Sequence, residues 1–204
     1  MNNGLFLRLI SLLLFVLAQL SYAQEAQEET ETTTEAAAPA TATESTYGVT
    51  AFGHYGLSLG EYKDQVSDYN FGGSLHVDTR FTGIPFELYT EVGFASYNPV
   101  VNTLTSLSGL NFGIGGGYPF ALANNLALIP AFYFGGNLYF SEGIYGGSTQ
   151  SKTVLDSYQK FSLHLAYTFD QTSSLYLTPY FMLIPEDVVS ALIPGIALGY
   201  RYQL

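Results

Sequence analysis

The sequence lacks cysteine and tryptophan, and it has few charged residues, above all few basic ones. Without cysteine there is no disulfide framework, no thiolate metal ligand, no cysteine nucleophile and no lipid-modified cysteine. Only 6 Lys and Arg stand against 17 Asp and Glu, so no basic face is available to neutralise nucleic-acid phosphates. The 204 residues are instead rich in glycine (21) and tyrosine (17). This composition favours a secreted or envelope protein with one domain, and it excludes a nucleic-acid partner.

The N-terminal part of the chain divides into two segments. Residues 1–23 combine one positive charge, an apolar run and small residues at the last and third-last positions, which predicts a secretory signal peptide. The apolar run is shorter than the roughly 20 residues of a membrane-spanning helix. Residues 24–46 contain six Glu and no basic residue, which predicts a disordered acidic linker. A recruitment tail for a basic partner is the alternative role of this linker.

From Tyr47 to Leu204, apolar residues alternate with small or polar residues. In one segment Leu75 and Val77 share a face, whereas His76 shares the other face with its polar neighbours. Strict alternation over about ten residues predicts β-strands. The eight predicted strands are 47–59, 69–81, 86–97, 110–118, 128–140, 160–169, 176–183 and 195–204. Pro130, Pro179 and Pro194 fall inside them, where a bulge or a widened strand pair is expected.

The connections between the predicted strands alternate between short turns and longer loops. The longer ones are 60–68, 99–106, 141–157 and 185–191, whereas turns such as 119–125 are short. An even strand number with this asymmetry is typical of bacterial outer-membrane barrels. The apolar faces are too bulky to fit inside eight strands, so we expect them to face lipid. The predicted fold class is all-β, an eight-stranded antiparallel transmembrane up-and-down β-barrel over residues 47–204, with a soluble lipocalin-like barrel as the alternative.

The domain resembles a known group, the small eight-stranded outer-membrane barrels, which includes outer membrane proteins X and W and the barrel half of outer membrane protein A. The resemblance covers residues 47–204 and is most specific in the last strand. There Gly199, Tyr200, Tyr202 and Leu204 resemble the signal that the barrel-assembly machinery recognises, with Leu204 where the group usually has Phe. The resemblance implies a location in the outer membrane of a Gram-negative-type envelope. It also implies outer-membrane lipid and the barrel-assembly machinery as partners.

Polar residues of the interior faces form a candidate lumen network. A tight turn after the second strand would pair Arg80 with Glu87 and His76 with Glu91, which joins opposite charges across two strands. The full predicted network is His76, Asp78, Arg80, Glu87, Glu91, Lys160, His164 and Arg201. The simpler interpretation is a polar core that fills the barrel, and the alternative is a gate whose ion pairs exchange.

Two further expectations concern the interior side chains. A similar register in the sixth and seventh strands would set His164 opposite Tyr180. Glycines of the interior faces, such as Gly115 and Gly195, are expected to accept tyrosine rings from other strands.

Three classes of function follow from these features. The leading one is a structural or surface-interaction role in which 60–68 and 141–157 contact an extracellular ligand or host molecule. The second is a narrow channel or transporter for small or hydrophobic solutes, although eight strands leave an interior that side chains nearly fill. The third is a lipid-active enzyme using Ser162 and His164, but this pair points into the lumen and has no acidic third member, so we expect no enzyme.

No cofactor or metal site is expected. A metal would require His54, His76 and His164 to converge from three strands. The sequence places His54 far from the other two along the barrel axis.

Overall fold

The structure, a computed structural model, describes residues 45–81, 84–185 and 190–204. The predicted signal peptide and the linker up to residue 44 lie outside these residues. The first strand begins at Ser45, so the barrel starts two residues before the predicted boundary at Tyr47. The elements are β1 Ser45–Leu57, α1 Glu61–Gln65, β2 Ser67–Phe81, β3 Glu87–Pro99, β4 Leu104–Gly117, β5 Phe120–Ala123, β6 Leu126–Tyr145, β7 Ser148–Thr168, β8 Ser173–Ile184 and β9 Ala191–Gln203.

The eight long strands form a closed antiparallel ring, which confirms the predicted fold class. Strand β4 pairs with β6 and β1 pairs with β9, while the short β5, inside the predicted 119–125 turn, pairs only with β6. The ring is staggered: a path that starts at Thr46 and moves from each residue to its partner on the next strand returns to β1 at Gly56, ten residues farther along. The path is Thr46, Arg80, Glu87, Gly117, Ala131, Ser162, Tyr180, Gly195 and Gly56. Such a stagger accompanies the strand tilt of about 35–45° that closes a barrel.

Side chains alternate between the outside and the interior as the sequence predicts. On the outside, Leu75, Val92 and Leu198 are 57, 61 and 60 % exposed, whereas His76 and Glu91 on the interior faces are buried. A closed ring satisfies its strand hydrogen bonds internally, and an apolar outer surface of this size suits hydrocarbon better than water. In the described part of the chain, no helix is long and apolar enough to cross a membrane.

The prediction that 141–157 is a loop is wrong. Strands β6 and β7 continue through this segment as a hairpin that turns at Gly146 and Gly147. Both glycines have positive φ, 59° and 82°, which a two-residue type I′ turn requires and glycine adopts without strain. Alternation is lost here because the hairpin stands beyond the apolar band, where neither face needs apolar residues.

The three strand prolines are accommodated without a shift in register. Pro130 lies just beyond the last β4–β6 pair, and Pro194 lies just beyond the last β1–β9 strand pair. At Pro179 the β7–β8 ladder is interrupted and then resumes in the same register, so a local gap replaces the bulge. Each missing N–H therefore falls at a gap or an end of a ladder.

The two ends of the barrel differ. The end that holds Thr46 and Leu204 has short turns, and in one of them the Asp170 carboxylate accepts the Thr172 backbone N–H at 2.8 Å. This bond and others from the same turn lower the pKa of Asp170. At the opposite end, Tyr62 of α1 is 2 % exposed and packs into a cluster with Ile193 and other apolar side chains.

Candidate functional site in the barrel interior

Two ion pairs lie in the interior near the short-turn end. Arg201 of β9 and Asp78 of β2 are each 2 % exposed, and the guanidinium contacts the carboxylate at 3.0 Å from Nε and 2.7 Å from Nη2. They reach each other across β1, where a Cβ at Gly48 would lie 2.4 Å from Arg201 Nη2. Arg80 Nε lies 2.6 Å from Glu87 Oε1 in the predicted pair. These contacts bring together four of the predicted network residues.

Glu91 of β3 is the centre of the middle layer. Lys160 forms an ion pair with its Oε2, and Tyr158 donates a hydrogen bond to its Oε1, both from β7 on the far side of the ring. His76, opposite Glu91 as predicted, places Nε2 at 2.9 Å from Oε2. Tyr133 lies beneath Lys160 Nζ, with 4.4 Å to the ring centroid, within cation–π distance. Glu91 therefore joins β2 and β3 to β7 through the interior.

His164 is held at both ring nitrogens. Its Nε2 lies 3.0 Å from the Tyr133 hydroxyl, and its Nδ1 lies 2.8 Å from Thr178 Oγ1. The prediction that His164 faces Tyr180 is wrong, because the β7–β8 register sets Ser162 opposite Tyr180 and brings His164 to Thr178. With both nitrogens engaged, the imidazole is not directed at Ser162 as the base of a nucleophile would be.

A layer of aromatic rings divides the interior. Phe52 of β1 is 7 % exposed, and its ring centroid lies 4.6 Å from that of His76, 5.9 Å from that of His164 and 6.0 Å from that of Tyr176. A Cβ at Gly199 would lie 2.4 Å from the Phe52 ring, so this glycine makes room for it. The layer lies between the Arg201 and Asp78 ion pair and the half of the barrel that is farther from the short turns.

A polar cavity occupies the interior on the side of Phe52 that faces away from the short turns. The space open to the centres of water molecules measures about 40 Å³, enough for roughly three waters. Its polar lining includes His54, Asn70, Asn137, Lys160, Ser162 and His164. His54 thus shares a cavity with the other two histidines, contrary to prediction, because the strand stagger changes the height of residues from one strand to the next. Within residues 45–81, 84–185 and 190–204, no group of three His, Asp or Glu could hold a metal ion.

The residues of the predicted assembly signal in the last strand take part in packing and in hydrogen bonding. Gly199 faces the interior against Phe52, whereas Tyr200 and Tyr202 face outward and are half exposed. The Leu204 backbone N–H follows β9 and donates to the Tyr47 carbonyl at 2.9 Å. Recognition of these residues by the assembly machinery stays a prediction.

The sequence analysis missed several members of the interior network. Phe52 and Asn70 stand at the alternate positions that form the polar face of their strands. Tyr133, Asn137 and Tyr158 do the same in β6 and β7. Their position in this alternation was the sequence signal available for all five. It does not show which of them meet across the lumen.

Comparison with models of protein families and with curated protein sequences gave no match. Neisserial surface protein A is similar in structure, with a TM-score of 0.54 and 12 % identity over 78 % of this chain and 98 % of that one. A major outer membrane protein from Thermus thermophilus has a TM-score of 0.54 and 14 % identity, over 78 % of this chain and 99 % of that one. Ail, the attachment invasion locus protein of Yersinia pestis, has a TM-score of 0.50 and 10 % identity, over 79 % of this chain and 99 % of that one. The chain has the fold of the small outer-membrane β-barrels.

This fold, together with the apolar exterior, places the barrel in the outer membrane. In outer-membrane barrels the short turns face the periplasm and the longer connections face the outside. The ends of the chain segment that forms the barrel, Thr46 and Leu204, therefore lie on the periplasmic side. The helix α1 and the β6–β7 hairpin lie on the outer side.

Proposed function

We propose that this outer-membrane barrel is a surface-interaction protein and that the β6–β7 hairpin is its contact element. The observation that supports this is the unequal length of β7 and β8. Strand β8 pairs with β7 only from Gln159 onward, whereas β7 begins at Ser148 and pairs with β6 along its whole length. Residues 148–157, here called the β7 edge, have no strand on their other side within the described chain. Ten residues at about 3.3 Å each extend roughly 33 Å.

Alternate residues of the β7 edge direct their backbone groups away from β6. Ser148 flanks a two-residue turn and exchanges hydrogen bonds with β6, and every second residue after it does the same. Thr149, Ser151 and Thr153 therefore present N–H and C=O groups to the outside. An exposed edge of this kind is a template to which an extended peptide can add as a further strand.

The charge on the outer end favours a cationic partner. Its described acidic residues are Glu61, Asp64, Asp68, Glu142 and Asp156, and its described basic residues are Lys63 and Lys152. Ail has been solved in complex with the heparin analogue sucrose octasulfate. An excess of carboxylates repels such a polyanion, so we infer a cationic, extended peptide as the partner of this barrel.

Proline in the β7 edge tests this proposal. Ser151→Pro with Thr153→Pro removes two outward N–H groups and leaves the pairing with β6, because proline is tolerated where the N–H faces solvent. We expect a random-peptide phage library, panned on the outer-membrane protein in nanodiscs, to enrich extended cationic peptides. Enrichment should fall at least tenfold in the proline variant. Ser151→Val with Thr153→Val is the matched control, since it changes the same side chains and keeps both donors.

Two results would contradict the proposal. Equal enrichment on the proline and valine variants would show that the selected peptides do not use the β7 edge. Saturable binding of sucrose octasulfate to the unchanged protein would show that the acidic residues of the outer end do not select against polyanions.

The interior opposes the second class of function, a narrow channel. Tyr62 packs with Ile193 at the outer end, Phe52 packs against His76 in the middle, and Arg201 pairs with Asp78 in the periplasmic half, so side chains fill much of the lumen. We expect no reproducible single-channel openings in planar bilayers, either for the unchanged protein or for Arg80→Ala. Heat-modifiable gel migration checks that both are folded. Openings that change in Arg80→Ala would instead favour a channel gated by ion pairs.

A further inference from the structure

Two buried amides line the interior cavity, and in the described part of the chain each has one side-chain atom without a hydrogen-bond partner. Asn70 of β2 and Asn137 of β6 are each 1 % exposed, and both line the cavity. Asn137 Nδ2 donates to the Tyr97 hydroxyl at 3.1 Å, but neither Asn137 Oδ1 nor Asn70 Nδ2 has a hydrogen-bond partner among the described residues. Buried polar atoms normally have a partner, which is either protein or a bound molecule. Here the two atoms are one donor and one acceptor.

Glycines keep the walls beside both amides open. A Cβ at Gly56 would lie 3.1 Å from Asn70 Nδ2 and 2.8 Å from the Tyr180 hydroxyl. A Cβ at Gly109 would lie 2.5 Å from Asn137 Oδ1. Any larger residue at either position would press on the amide, so these glycines leave room for the two amide groups.

The charges at the cavity are already matched. Lys160, on the wall, is paired with Glu91, which also contacts His76. Among the described residues, no carboxylate lines the cavity. An anion would accept a hydrogen bond from Asn70 Nδ2 but would be repelled by Asn137 Oδ1. A cation would be attracted by Asn137 Oδ1 but repelled by the N–H groups of Asn70. A neutral molecule that both donates and accepts satisfies both atoms.

We propose that this cavity is a binding site for a small uncharged amide or alcohol, held between Asn70 and Asn137. Water has the same hydrogen-bonding chemistry and is the smallest molecule that fits. The space of about 40 Å³ accommodates a ligand of a few non-hydrogen atoms, such as formamide. The site lies inside the barrel and is independent of the surface contact proposed above.

Formamide and formate, which are nearly equal in size and differ in charge, test the proposal. The probes are titrated into the outer-membrane protein in nanodiscs, and the side-chain amide signals of Asn70 and Asn137 are followed by NMR. We expect formamide to cause saturable shifts at both signals and formate to cause none. Asn70→Leu and Asn137→Leu should each weaken formamide binding at least fivefold. Asn98→Leu, outside the cavity and hydrogen-bonded to Asp68, is the control that should bind like the unchanged protein.

Three outcomes would overturn the proposal. Formate binding as tightly as formamide would show that charge, rather than paired donor and acceptor chemistry, governs the site. Water–amide cross-peaks at Asn70 and Asn137 without any formamide shift would show a hydration site only. Unchanged formamide binding in both leucine variants would place the ligand elsewhere, and Asn70→Ser with Asn137→Ser makes the same test if the leucine variants do not fold.

Discussion

Arg201→Met is expected to lower the free energy of unfolding by about 3–5 kcal/mol, because it leaves the Asp78 carboxylate buried without its counter-charge. Both side chains are 2 % exposed, and three contacts of 2.7–3.0 Å join them. Water reaches such a pair poorly, so the remaining charge cannot be rehydrated without opening the barrel. Unfolding in urea, followed by circular dichroism of the protein in lipid vesicles, measures the loss.

Two variants separate a lost ion pair from a lost volume. Arg201→Met combined with Asp78→Leu removes both charges, and it should recover most of the stability that the single change loses. Arg80→Met removes a guanidinium whose side chain is 36 % exposed, while the Tyr89 hydroxyl still donates to Glu87, so a loss of less than half that of Arg201→Met is expected. A loss under about 1 kcal/mol for Arg201→Met would contradict the buried pair.

The strands and their faces were predictable because successive side chains of a strand point to opposite faces, so a strand between lipid and a polar interior alternates apolar with polar residues. Leu75 and Leu198 had to face lipid, and His76 then had to face the interior. The pairing of Arg80 with Glu87 followed from a tight turn alone, and the structure confirms it. Local pattern therefore determined most of the ring.

The hairpin beyond the membrane was not predictable in the same way. Segment 141–157 is exposed on both faces over most of its length, so no alternation distinguishes a paired strand there from an irregular loop. The decisive feature is the turn of two glycines, Gly146 and Gly147, which pairs the residues on either side of it. An assignment based on apolar periodicity necessarily stopped where the hydrocarbon ends.

Contacts across the lumen were only partly predictable. The glycines did indicate where rings would lie: a Cβ at Gly115 would meet Tyr133 at 2.6 Å, and one at Gly195 would meet Tyr180 at 2.3 Å. The ion pair of Lys160 with Glu91 joins residues far apart in the sequence and in strand order. It depends on the stagger and diameter of the closed ring, which no pair of adjacent strands reveals.

Gly72→Ala is expected to be poorly tolerated, with a loss of about 3 kcal/mol, at the upper end of the range for overpacking. A Cβ at Gly72 would lie 2.0 Å from the Phe94 carbonyl oxygen and 2.8 Å from Ala95 Cα. Both atoms belong to the backbone of β3, which cannot rotate aside as a side chain can. The ladder between β2 and β3 must therefore shift along several pairs.

Gly53→Ala is the matched control, since nothing lies within 4 Å of a Cβ at Gly53, and we expect a change within about 0.5 kcal/mol. His54 Nε2 also lies 2.8 Å from a Cβ at Gly72. If that ring were the obstacle, His54→Ala would rescue Gly72→Ala. Because the closer contact is with backbone, we expect no rescue in urea unfolding. A Gly72→Ala variant as stable as Gly53→Ala would mean that β2 and β3 do not approach so closely at this level of the barrel.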